Sequence, residues 1–86
     1  MNDREILLQS ADKIHTTKMG IDRIKNNLGL SHECDPVEFC SKIILNKKCE
    51  IIRKGKNFYC TSNDIIVTVN AHSYTIITAH KNKGRK

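Results

Sequence analysis

The sequence predicts an α+β domain, with three N-terminal helices packed on one face of a four-stranded antiparallel sheet. Apolar residues recur at helical spacing as far as about residue 46, and from Cys49 the pattern changes to alternation among β-branched and aromatic residues. Because all helix signals precede all strand signals, the two kinds of element segregate into layers. A chain of 86 residues has room for a single core. Residues 1–81 are expected to form that one domain, and residues 82–86 a mobile basic tail.

The first helix is expected from an Asn2 or Asp3 cap to about His15, with Leu7, Ala11 and Ile14 on its apolar side. Thr16 and Thr17 offer hydroxyl caps for the second, in which Ile21, Ile24 and Leu28 recur and Gly29 supplies a left-handed stop. Its other sides project Arg23, Asn26 and Asn27. The third has the clearest start: Asp35-Pro36-Val37-Glu38 combines a capping carboxylate, a proline at the first helical position and a capping-box Glu. It should end near Asn46, a residue that tolerates a left-handed turn.

Cys49 to Arg53 reads as a strand, Lys54-Gly55-Lys56-Asn57 as a turn and Phe58-Tyr59-Cys60 as the returning strand. The turn at Thr61-Ser62-Asn63 leads into the last hairpin, Ile65 to Lys81, with Ala71-His72-Ser73 as its loop. A three-residue loop sets Asn70 opposite Tyr74, Thr68 opposite Ile76, Ile66 opposite Thr78 and Asp64 opposite His80. Alternation then directs Ile65, Val67, Val69, Thr75, Ile77 and Ala79 to the core. Asp64, Thr68, Asn70, Tyr74, Thr78 and His80 face outward.

Charge is divided along the chain. Residues 1–46 hold six Lys/Arg against seven Asp/Glu, whereas residues 47–86 hold nine Lys/Arg against only Glu50 and Asp64. The basic excess therefore falls on the strand half, and an anionic partner is expected there. The Ile65–Val69 run is too short to span a bilayer, and Met1 to Glu5 lacks the layout of a secretory signal, which points to the cytoplasm and away from a membrane. Cys34, Cys40, Cys49 and Cys60 show no zinc-type spacing. Reduced, mostly buried thiols are expected, ahead of a disulfide or a zinc site borrowing His32 or His15. No metal or cofactor is expected.

The outward hairpin face could bind phosphate or cleave RNA without metal. His80 would act as acid or base, Asp64 would orient it, Thr78 would donate to phosphate, and Arg23 would stabilise developing charge with Lys56 and Lys81. Lys54, Lys56 and Asn57 form a basic turn able to cradle an anion. Tyr59 or Tyr74 could stack on a base. His15 and Thr17, at the helix junction, could reach the same ligand. The alternative is a non-catalytic binder that sequesters a nucleotide signal or inhibits a nucleic-acid enzyme. RNA or a phosphate-bearing nucleotide is the expected partner, with a homodimer or a protein partner also open.

The segments His15-Thr-Thr-x-x-Gly20-x-x-Arg23-Ile24-x-x-Asn27-Leu28, Gly55-Lys-Asn-Phe-Tyr59 and Thr68-Val-Asn70-x-x-Ser-Tyr-Thr-Ile-Ile-Thr-Ala-His80-Lys81 resemble the signatures of short bacterial proteins grouped as domain of unknown function 3781. The resemblance spans about residues 6 to 81. It departs at Phe58, where the family often has Trp. The family name supplies no activity, but His15, Thr17, Arg23, Lys56, Asn57, Tyr59, Asn70, Tyr74, Thr78, His80 and Lys81 match its signature positions. At fold level the layout is also similar to barnase-like and RelE-like small ribonucleases, a likeness that does not itself carry a function.

Overall fold

The computed structural model describes residues 3–31, 33–62 and 64–81. His32, expected to be solvated or to serve a zinc site, lies outside the described residues, as does the tail expected to be mobile. The protein is α+β, with helices α1 (Asp3–Gln9), α2 (Lys18–Leu28) and α3 (Pro36–Leu45) followed by strands β1 (Glu50–Lys54), β2 (Asn57–Ser62), β3 (Ile65–Asn70) and β4 (Ile76–Lys81). The strands form one antiparallel sheet in the order β1-β2-β3-β4. Helix α1 lies against β1, α2 against β4, and α3 against β2 and β3.

Local signals act where they were expected. Asp35 Oδ1 accepts from the amides of Val37 at 2.9 Å and Glu38 at 3.4 Å, and Pro36 starts the helix. Thr17 Oγ1 accepts from Gly20 N at 3.0 Å to cap α2, which Gly29 ends at φ 65°. Asn46 departs from expectation. It is extended, with φ −64° and ψ 134°, and its Oδ1 accepts from Lys48 N at 2.8 Å. Arg4 holds the chain after the helix in place, its guanidinium donating to Cys49 O at 2.7 Å and to Asn46 O at 3.1 Å.

The first helix is shorter than expected. It stops at Gln9, a single 3-10 turn covers Ala11–Lys13, and Ile14 continues in extended backbone. His15 therefore does not lie at a helix end. It forms a parallel bridge with Thr75, with His15 N donating to Tyr74 O at 3.1 Å and Ile76 N donating to His15 O at 2.7 Å. Thr16, rather than serving as a cap, donates its hydroxyl to Ile76 O at 2.8 Å. This segment covers the outer edge of β4, where unpaired backbone groups would otherwise face solvent.

The last hairpin differs most from its expected register. The pairs are Ile66 with His80, Val67 with Ala79, Thr68 with Thr78 and Val69 with Ile76, with an irregularity between Thr68 and Val69. Ile77 is the extra residue, a β-bulge. The loop is longer than three residues. Asn70 Oδ1 accepts from His72 N at 2.9 Å and Ser73 N at 3.0 Å, and Tyr74 takes a left-handed φ of 58°. As a result Ile76, rather than Ile77, enters the core, and Ile77 is 39% exposed. Tyr74, expected to face outward, packs partly buried against the core.

Phe58, Cys60, Val67, Val69, Ile76 and Ala79 are buried with Leu7, Ile24, Leu28, Cys40 and Ile44 in one core. All four cysteines are free, and Cys40, Cys49 and Cys60 are buried. Burial, reinforced by the neighbouring Cys34, pushes the Cys40 thiol up to about 12. The Cys60 thiol is likewise raised, chiefly by its hydrogen bond with Cys49 and then by burial, while that bond lowers Cys49. Thiolate is the reactive form, so the two raised thiols are protected in the native state.

Two predictions follow from these packing relations. Native protein mixed with iodoacetamide at neutral pH should be alkylated first at half-exposed Cys34, with Cys40 and Cys60 modified only after denaturant is added, as peptide mass mapping would read. A Cβ at Gly20 would collide with Thr16 Oγ1. Gly20→Ala should therefore cost about 1–3 kcal/mol in urea unfolding, and in a Thr16→Ala background the same substitution should cost clearly less.

Candidate nucleic-acid interface

Strand alternation and register assemble a second sheet face opposite in phase to the core residues. Ile52 pairs with Tyr59, Tyr59 with Thr68, and Thr68 with Thr78, so these four form a row across all the strands. At about 4.8 Å between strands the row is about 14 Å long. Towards the β1–β2 turn it is flanked by Lys54, Asn57 and Asn70, and towards the other end by Glu50, Thr61, Ile66 and His80. Ile52 is 53% exposed, and with Lys54 and Tyr59 it lines a shallow depression of about 280 Å³. Thr68, in the middle of the row, is only 6% exposed.

Helix α2 extends this row beyond the sheet. Asn27 Nδ2 donates to Thr78 Oγ1 and to Ala79 O, both at 3.3 Å. One turn earlier on the same flank, Arg23 joins Thr17, Met19, Gly20, Thr75, Ile76 and Ile77 around a groove of about 270 Å³. The spacing of Arg23 and Asn27 puts both on the helix side that borders β4. The bulge matters here, because it turns Ile77 out of the core and into that groove.

The expected site residues divide into separate places. Tyr59, Thr78 and His80 share the second face, and Lys54 and Asn57 stand at its turn end. Lys56 is exposed in the turn beside left-handed Gly55, and its carbonyl accepts from Ala71 N at 2.7 Å. Lys81, expected beside His80, is exposed but pairs with Ile65, so alternation puts it on the opposite face from the imidazole. Arg23, Thr17 and His15 gather instead at the α2–β4 junction, where His15 Nε2 lies 3.1 Å from Thr75 Oγ1.

All four expected hairpin pairings change, Thr68–Ile76 among them. Asp64 is not opposite His80. It sits in the β2–β3 turn with φ 63°, and His80 faces Ile66. The bulge and the longer loop shift the partners, so the carboxylate loses its assigned position for orienting the imidazole. Thr78 faces Thr68 rather than Ile66. Asn70 is occupied as the loop's own cap, and Tyr74 faces the core side.

Sequence reasoning did not assign site roles to Asn27, Ser73 or Thr75. A strict period of two puts Thr75 on the core face, and the bulge at Ile77 breaks that period. Asn27 projects from the expected helix, but its partner is 51 residues away. Nothing local marks such a contact.

Fold and face together define a small α+β protein with a mixed polar and aromatic sheet surface bordered by a helix. The chain belongs to the family described as Protein of unknown function (DUF3781), whose model matches residues 8–80. No curated protein and no solved structure matches it, so the likeness to barnase-like and RelE-like ribonucleases gains no structural neighbour in support. Among the described residues, no helix is long and apolar enough to cross a membrane.

The α2–β4 seam can be tested through Asn27. Asn27→Ala removes one side-chain amide that reaches two acceptors, so it should lower stability by about 0.5–1.5 kcal/mol in urea titration. Asn26→Ala, on the exposed side of the same helix, should change it by no more than about 0.5 kcal/mol.

Proposed function

We propose that this protein binds a phosphate-bearing nucleic acid, most directly single-stranded RNA, on the second sheet face. On this reading the three helices lie against the core face and leave the Ile52–Tyr59 part of the row open to the ligand, while Thr68 is covered and Thr78 is met by Asn27. The observation that carries the reading is that row, in which an aromatic ring and an exposed aliphatic side chain sit beside hydroxyls while cations stand at the margins. Bases stack on an aromatic platform, and phosphates favour the Lys/Arg rim. Lys54 and Lys56 supply the rim at the turn end and Arg23 at the helix flank. Thr78 and Asn57 offer hydrogen bonds to sugar or base edges. Binding fits the geometry better than cleavage, because the register takes Asp64 away from His80 and leaves the imidazole without the carboxylate that the catalytic version requires. The same face would serve a nucleotide signal.

Fluorescence anisotropy with labelled single-stranded RNA, single-stranded DNA and nucleotides, in chelator and across a salt series, tests the reading. Affinity should fall with salt, and Lys54→Ala combined with Lys56→Ala should make the slope shallower by about 1.4 if each lysine meets one phosphate. Tyr59→Ala should weaken binding by about 1–3 kcal/mol. Salt-independent binding, or affinity indifferent to Tyr59, would remove this face from consideration. Product analysis of the same mixtures reads out cleavage, which His80→Ala would abolish if the imidazole were catalytic.

A further inference from the structure

The junction of the helical segment with the last hairpin holds a chain of hydrogen bonds that the sheet-face reading does not use. His15 Nδ1 lies 2.8 Å from Lys13 O, His15 Nε2 lies 3.1 Å from Thr75 Oγ1, and Thr75 Oγ1 lies 2.7 Å from Ser73 Oγ. The proton positions follow from the partners. A carbonyl only accepts, so Nδ1 carries the hydrogen and Nε2 of the neutral ring presents its lone pair. Thr75 therefore donates to Nε2, and Ser73 donates to Thr75. With the ring neutral this is the one assignment in which these three contacts are all hydrogen bonds, and it directs the Ser73 hydrogen to Thr75 rather than to Asn70 Oδ1, 3.3 Å away. It gives a hydroxyl hydrogen-bonded to an imidazole whose tautomer is fixed by a third group, the arrangement that activates an oxygen nucleophile.

Thr75 also lines the 270 Å³ groove with Thr17, Arg23, Met19 and Ile77. Met19 is 68% exposed and Ile77 39% exposed, so the groove offers an apolar wall beside a guanidinium. A ligand suited to it has a small apolar or planar body and an anionic group. The reacting hydroxyl and the ligand groove thus meet at one residue.

We propose that Thr75 is a nucleophile served by His15, and that the α2–β4 groove accepts a small acyl ester bearing an anionic group that pairs with Arg23. Thr75 Oγ1 attacks the acyl carbon while its proton passes to His15 Nε2. The bond from the acyl carbon to the leaving oxygen breaks, and the leaving alcohol or phenol departs with that proton. Water then attacks the acyl-threonine, giving a proton to Nε2. Thr75 Oγ1 leaves with it, releasing the carboxylic acid and restoring the hydroxyl. A carbonyl, rather than a carboxylate, supports the imidazole, so it stabilises the imidazolium less and turnover is slow. The proposal does not depend on nucleic-acid binding at the sheet face.

The test is acylation of the intact protein by p-nitrophenyl acetate and by p-nitrophenyl hydrogen succinate, followed by nitrophenolate release and by peptide mass mapping. The succinate carries the anionic group and should react faster, unless Arg23→Gln removes its partner. The expected result is a burst with one acetyl group on Thr75. Thr75→Val should abolish that adduct, whereas Thr75→Ser, which keeps the hydroxyl, should retain it and guard against a folding defect in the valine variant. His15→Ala should lower the burst rate at least tenfold, and added imidazole should restore part of it, which a merely structural role for His15 would not produce. His72→Gln, in the exposed loop, should leave the burst unchanged. Acetyl groups confined to lysines, a burst retained by Thr75→Val, or no rescue of His15→Ala by imidazole would each overturn the assignment.

Discussion

The pairing of the His15–Thr16 segment with the start of β4 is the constraint on which the remaining structure depends. Two backbone hydrogen bonds, His15 N to Tyr74 O and Ile76 N to His15 O, tie a stretch of chain to one 60 residues later, and Thr16 Oγ1 adds a third bond to Ile76 O. These contacts occupy an edge that would otherwise present a row of free donors and acceptors. They also fix where α2 begins, since Thr17 caps the helix immediately after the pairing ends. Gly20 completes the joint by leaving room for the Thr16 hydroxyl against the first turn. A helix launched from this point runs along β4, with its Arg23–Asn27 side bordering that strand.

The bulge in β4 is the second consequence of that joint. Ile76 must present its amide and carbonyl to the His15–Thr16 segment, and its side chain lies buried in the core. Ala79, three residues on, is buried in the same core. An uninterrupted strand places residues three apart on opposite faces, so one residue has to be absorbed between them. Ile77 is that residue. The cost is an aliphatic side chain left partly in solvent. The result is that Thr78 and His80 share a face with Tyr59 and Thr68, while Thr75 is freed from the sheet core and turned toward His15.

What could be read from the chain alone was what short-range chemistry determines. Asp35-Pro36, Gly29 and the Lys54-Gly55-Lys56-Asn57 turn each carry their reason within a few residues, and each acts as expected. The order of helices and strands follows from the change of hydrophobic period. The hairpin register did not follow, because Asn70 caps a longer loop and Tyr74 adopts a left-handed conformation that an aromatic side chain disfavours. Tyr74 holds that conformation where its carbonyl is bonded to His15 N and its ring packs against the core. Both partners are remote in sequence, so no local pattern could reveal them. The same remoteness hid Thr75 and Asn27, and it moved His15 from an expected helix end to the sheet edge.

The distribution of charge bears on how the sheet face would hold an anion. Its central row is uncharged, and the basic side chains stand around it, Lys54 and Lys56 at one end and Arg23 on the flank, while Lys81, opposite Ile65, belongs to the other face. Glu50 shares the His80 end, and Asp64 occupies the neighbouring turn, so the charge at that end is negative. The lysine turn carries no such opposition on its own row. Cations separated in this way act through water and salt, each contributing little alone. A flexible chain of phosphates would then enter at the lysine turn and follow the rim toward Arg23, with its uncharged parts directed onto Tyr59 and Ile52. A compact anion would meet only one cation at a time, which makes an extended, single-stranded ligand the better match to this surface.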